Sequence, residues 1–89
     1  METLKEISKL VKNINTEAEI TAFFKELLTE SEIETLSKRW RILGMLKQGY
    51  TQREIAKELQ VSLCKVTRGA KIMKDGTSTL ARYLKKEIF

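Results

Sequence analysis

At Thr16–Glu19, Thr29–Glu32 and Thr51–Glu54 a threonine stands three places ahead of a glutamate, just after a break in the apolar pattern and just before an apolar stretch. In that spacing the hydroxyl accepts a backbone N–H at the start of a helix, and the carboxylate reaches back to the cap. Ser62 is a fourth N-cap, placed before Leu63. The chain has no proline and only 4 glycines. A β-sandwich or barrel needs many turns, so the pattern predicts an all-α fold.

Apolar residues recur at helical spacing between these starts. Leu4, Ile7, Leu10 and Val11 mark a first helix over about residues 2–13, ended by Asn13-Ile14-Asn15. A second runs from about 17 to 27, with Ile20, Phe23, Phe24 and Leu27 facing inward. A long helix over about 30–48 carries Ile33, Leu36, Trp40, Leu43 and Leu46, and Gly49 closes it in the position that favours a left-handed backbone. Short helices follow over about 52–59 (Ile55, Ala56, Leu59) and 63–73 (Leu63, Val66, Met73). Asp75-Gly76-Thr77 is a turn, and the last helix, about 78–88, carries Leu80, Tyr83, Leu84 and Ile88. Neither an internal repeat nor a flexible linker interrupts this series, so residues 1–89 are expected to form a single domain.

Composition narrows the chemistry. Without histidine there is no Ser-His-Asp triad and no histidine metal site, and with Cys64 alone there is no cysteine-rich zinc site within one chain. No metal or covalent cofactor is therefore expected, and the chain is not expected to be an enzyme. The lone cysteine and the lack of a signal peptide fit a cytoplasmic location. No apolar run approaches the ~18 residues that span a membrane. An 89-residue monomer buries only roughly 60–65% of its unfolded surface, so dimerisation is the expected way to enlarge the core.

The net charge of +5 is unevenly placed: residues 1–37 carry 8 acidic and 4 basic side chains, residues 38–89 carry 4 acidic and 13 basic. An acidic front and a basic back suggest an assembly half and a half that meets a polyanion.

Residues 52–71, QREIAKELQVSLCKVTRGAK, satisfy the demands of a helix-turn-helix. Ala56 is small where two helices approach. Ile55, Leu59, Val61 and Val66 form the core that fixes their crossing. Ser62 caps the second helix, whose first turn enters the major groove in this motif. Gln60 stands at the turn position usually held by glycine. The candidate DNA-binding residues are Gln52, Arg53, Ser62, Leu63, Cys64, Lys65, Thr67, Arg68 and Lys71, mostly of types that bond phosphates and base edges. Lys57, Lys71 and Lys74 add general attraction to phosphate. Glu30, Glu32 and Glu34 read as favourable charge at a helix N-terminus rather than as a catalytic dyad.

Residues 27–87 resemble the tryptophan repressor family of bacterial transcription regulators. The resemblance rests on LLTESE at 27–32, LSKRWRI at 36–42, TQREIAKEL at 51–59 and, most specifically, VTRG at 66–69. It implies a six-helix helix-turn-helix subunit in an intertwined homodimer. Residues 1–48 and 77–89 would supply the dimerisation helices, and 51–73 the reading head. It also implies a pocket for L-tryptophan as co-repressor, in which Arg39 and Arg68 flank the indole and one of them holds the carboxylate. Gly69 would leave room for the ligand, and the backbone at Leu28 and Thr29 of the partner subunit would accept the ammonium. Ile72 stands where the family has a serine hydroxyl near that ammonium, and Lys65 where it has a threonine. The resemblance thus points to a double-stranded DNA operator, to tryptophan biosynthesis or uptake genes, and to tryptophan or a related indole as ligand. Two alternatives stay open at this stage: a ligand-independent DNA-binding regulator of the same fold, and a module whose basic face meets an acidic protein.

Overall fold

The hydroxyl caps begin helices where the sequence places them. The computed structural model describes residues 2–85. Among these it contains six α-helices and no strand: α1 Glu2–Asn13, α2 Glu17–Leu27, α3 Glu30–Lys47, α4 Gln52–Leu59, α5 Leu63–Lys74 and α6 Thr79–Leu84. The all-α, six-helix expectation is met. Boundaries shift by a residue: α3 stops at Lys47, α5 runs on to Lys74, and Ser78 caps α6 instead of opening it. Ile88 and the end of the last expected helix lie outside the described residues.

The caps differ in detail. At α3 and α4 they are reciprocal. Thr29 N–H donates to Glu32 Oε1 at 2.9 Å and Glu32 N–H to Thr29 Oγ1 at 3.1 Å. Thr51 and Glu54 repeat the pair at 2.9 and 3.2 Å. At α2 only half of the box forms: Thr16 accepts from Glu19 N–H at 3.2 Å, but the Glu19 carboxylate takes the Thr16 hydroxyl proton instead of its N–H.

Two left-handed residues end helices. Gly49 has φ +96°, and the N–H groups of Gly49 and Tyr50 return to Leu46 and Met45. Gln60 has φ 55° and ψ 48°, and the N–H groups of Gln60 and Val61 return to Lys57 and Ala56 in the same pattern. Gln60 therefore adopts the glycine geometry with a side chain attached, at a steric cost.

The chain divides into two compact units between Glu34 and Thr35. In the first, α1 and α2 contain no buried residue. Ile7, Val11, Ile20 and Phe23 are half-buried, whereas Leu4, Leu10, Phe24 and Leu27 are exposed. The inward placement expected for Phe24 and Leu27 is thus not met within a single chain.

In the second unit, Ile42, Ile55, Leu59 and Val66 form a buried cluster, with Met45, Leu46, Ala56 and Val61 packed against it. Ala70, Ala81 and Leu84 are buried where α5 and α6 meet. The Lys47 ammonium donates to the Leu84 carbonyl and ties the end of α3 to α6. Leu36, Trp40, Leu63, Leu80 and Tyr83 remain exposed. Leu63, expected on the inward stripe, is exposed, whereas Val61 packs against the cluster that holds Val66.

Two predictions follow from the caps. Gln60→Gly should raise stability by about 0.5–1 kcal/mol, because relief of the left-handed strain outweighs the added freedom of the unfolded chain; urea melts at one protein concentration measure it. Hydrogen bonds from the Thr51 N–H and then its hydroxyl hold the Glu54 carboxyl below its usual range. The Thr77 hydroxyl and then its N–H do the same for Asp75. A carboxyl whose folded pKa is depressed stabilises the fold fully above the ordinary carboxylate range and loses this as pH falls through the lowered value. Melts across acid pH should therefore show a shallower loss of stability in Glu54→Gln and Asp75→Asn than in the parent.

Candidate nucleic-acid interface and adjoining pocket

The buried trio Ile55, Leu59 and Val66 holds α4 against α5 and so decides what faces outward. Arg53, Ser62, Leu63, Cys64, Lys65, Arg68 and Lys71 are exposed, and Gln52 and Thr67 are half-buried. Residues 51–74 carry six basic side chains against Glu54 and Glu58. Along α5, Cys64, Thr67, Arg68 and Lys71 fall at helical spacing and line one shallow surface depression together with Ile72. Most of the residues singled out for DNA thus lie on the exposed surface of one helix pair. Gln52 and Thr67 are engaged with each other: the Thr67 hydroxyl lies 2.9 Å from Gln52 Oε1.

A second concavity lies between α3 and α5, within the second unit. It is an open pocket of about 110 Å³ lined by Arg39, Ile42 and Leu43 from α3 and by Lys65, Arg68, Gly69 and Ile72 from α5. Arg39, Arg68, Gly69 and Ile72, singled out from the sequence, come together here. Leu28 and Thr29 belong to the first unit, where they form the turn from α2 to α3.

The sequence reading missed Ile42 and Leu43 as the apolar floor and Lys65 as a third cation at the rim. Their spacing carried the signal: 39, 42 and 43 share one face of α3, and 65, 68, 69 and 72 one face of α5. Among the described residues no acidic side chain lines the pocket. Buried Ile42, Leu43 and Gly69 below and exposed Arg39, Lys65 and Arg68 around them suit a flat apolar body that carries an anionic group. A guanidinium plane can stack on an aromatic face and pair with a carboxylate.

Gly69 has a packing role besides. A Cβ there would lie 2.9 Å from Ile42 Cγ2, 3.4 Å from Leu46 Cδ1 and 3.5 Å from Leu43 Cδ2. At Gly69 there is no room for a β-carbon unless Ile42 shifts.

Gly69→Ala should therefore destabilise the fold on balance. Overpacking costs about 1–3 kcal/mol, against a helix-propensity gain of at most about 1 kcal/mol. Thermal melts of both proteins measure the difference, and a more stable variant would contradict the tight contact.

Comparison with known proteins agrees with this architecture. Residues 2–88 match the family model described as Trp repressor protein. A Trp operon repressor homolog of Xylella fastidiosa (strain M23) is 41% identical over 63 residues, covering 70% of this chain and 66% of that protein. The chain thus aligns with just under two thirds of the Xylella protein's length. Trp operon repressor homologs of Chlamydia trachomatis serovar L2 (strain 434/Bu) and Chlamydia caviae are 31% identical over 80 residues and 33% over 78. These alignments cover 89% and 86% of this chain, and 85% and 77% of the chlamydial proteins. No solved structure matches the chain. With its helix-turn-helix and the pocket behind the second helix, the chain belongs to the Trp repressor family.

Proposed function

We propose that this chain is a homodimeric, DNA-binding transcriptional repressor that uses L-tryptophan as co-repressor to control tryptophan biosynthesis or uptake genes. One observation carries the reading: Arg68 and Ile72 line both the pocket against α3 and the outer depression of α5. A ligand in the pocket bears directly on the helix that would read DNA.

In this reading residues 51–73 form the reading head, and residues 1–48 and 77–89 assemble the dimer in the cytoplasm. Arg39 and Arg68 flank the indole, one of them holding the carboxylate, over Ile42, Leu43 and Gly69. Backbone oxygens at Leu28 and Thr29 of the partner subunit accept the ammonium. Gln52, Arg53, Ser62, Leu63, Cys64, Lys65, Thr67, Arg68 and Lys71 form the DNA-facing set. Ligand raises DNA affinity to the extent that it prefers the DNA-competent placement of α5, and DNA raises ligand affinity by the same factor. Leu4, Leu10, Phe24 and Leu27, exposed on a single chain, support a second copy as their cover.

A second reading keeps the fold and DNA binding and drops tryptophan. It is favoured by Ile72, which puts a hydrocarbon in the pocket where the family resemblance expects a hydroxyl.

The deciding experiment is calorimetric titration of L-tryptophan into the purified protein, with Arg68→Ala alongside. Saturable binding of one ligand per chain, weakened about 10- to 100-fold in the variant, supports co-repression. No heat at millimolar ligand supports the second reading. Duplex binding should weaken with salt, with a slope of about −0.9 per phosphate neutralised. Sedimentation should give twice the 10.3 kDa chain mass.

A further inference from the structure

We infer that Lys65 sets the charge selectivity of the pocket between α3 and α5: the pocket prefers an aromatic carboxylate that lacks an amine to the zwitterionic amino acid of the same skeleton, with the carboxylate at the Lys65 end and the rings toward Ile72. The inference rests on the reading that this pocket takes a planar ligand, and it names the charge class of that ligand.

Lys65 and Ile72 both line the pocket from α5. They stand seven residues apart on one face of the helix, about 10 Å along its axis. The pocket therefore has two unlike ends. Lys65 lies in the first turn of α5, where the positive end of the helix dipole adds to its own charge. Arg68 follows one turn on. The far end is the hydrocarbon of the half-buried Ile72. Gly69 lies between them, with Ile42 and Leu43 contributed by α3. An acid with a two-ring body fits this order, anion first and rings after. Lys65 is exposed and carries its ammonium on a flexible four-carbon stem, so the charge can follow an anion along the rim.

The lining combines the cations Arg39, Lys65 and Arg68 with Ile42, Leu43, Gly69 and Ile72. Among the described residues, then, a carboxylate finds side-chain donors here, and an ammonium finds no side-chain acceptor. Net charge acts in the same direction. In an amino acid the ammonium sits on the carbon that bears the carboxylate. A cation that attracts the one repels the other, and the two effects nearly cancel. An acid without the amine is a net anion and is attracted by all three cations. Backbone oxygens of a partner subunit can bond an ammonium, but they carry no net charge to offset the three.

The test titrates three molecules that share one ring system: indole-3-propionate, with a carboxylate alone, L-tryptophan, with both groups, and tryptamine, with an amine alone. Calorimetry at low ionic strength should show indole-3-propionate binding about tenfold tighter than tryptophan, and tryptamine not binding at millimolar concentration. Lys65→Met keeps an apolar stem and removes the charge. It should weaken indole-3-propionate about tenfold and tryptophan about threefold, so that the preference falls to about threefold. Lys65→Arg should keep the wild-type preference. Added salt should narrow the gap more in the wild type than in Lys65→Met. Because Lys65 is exposed, Lys65→Met should melt as the wild type does, which separates selectivity from folding. Tryptophan or tryptamine binding as tightly as indole-3-propionate, or a preference undiminished in Lys65→Met, would overturn the inference and leave tryptophan co-repression standing. Binding of indole-3-propionate with none of tryptophan would support the inference and overturn tryptophan as co-repressor. A wild-type protein that binds none of the three would overturn both.

Discussion

The second unit depends on the approach of α5 onto α3 at Gly69. With no side chain at that position, α5 sits where even a β-carbon would come within 2.9 Å of Ile42 and within 3.5 Å of Leu43 and Leu46. Ile42 then completes a buried cluster with Ile55, Leu59 and Val66, and that cluster sets α4 beside α5. A β-carbon at position 69 would disturb the helix crossing, the pocket floor and the helix-turn-helix together, because all three share Ile42 or α5.

The same approach leaves one helix with three surfaces. Val66 and Ala70 turn inward, Lys65, Arg68, Gly69 and Ile72 line the pocket, and Cys64, Thr67, Arg68 and Lys71 line the outer face. Twelve residues suffice because a helix repeats every 3.6 residues and α5 is bounded by tight turns at both ends. The cations of Arg39, Lys65 and Arg68 converge on the pocket rim, and among the described residues no acidic side chain lines it, so these three favour an anionic group there. In the proposed repressor this places ligand electrostatics and DNA electrostatics on one rigid element, and their coupling needs no long pathway.

The first unit shows the opposite economy. Thr16 caps the start of α2, yet neither α1 nor α2 buries a residue within one chain. Capping and amphipathic pattern are local properties, whereas burial requires a partner surface. The proposed homodimer supplies it and accounts for the acidic first half and basic second half: assembly and polyanion contact draw on different stretches of the chain.

The helix series was legible along the chain. Hydroxyl caps, apolar spacing and the absence of proline act over a few residues, so Thr16, Thr29, Thr51, Ser62 and Gly49 marked boundaries to within a residue or so. The helix-turn-helix was legible for the same reason, since Ile55, Ala56, Leu59, Val61 and Val66 lie within a dozen positions. Folding in three dimensions was needed to bring Lys65 to one pocket with Arg39 and Arg68, to set Gly69 against Ile42, to engage Thr67 with Gln52, and to leave Leu63 exposed while Leu43 is buried. These outcomes depend on which faces of separate helices meet. Periodicity gives each helix its faces, but the meeting of two faces is set by side-chain volume across gaps of 15 residues or more, to which no local pattern is sensitive.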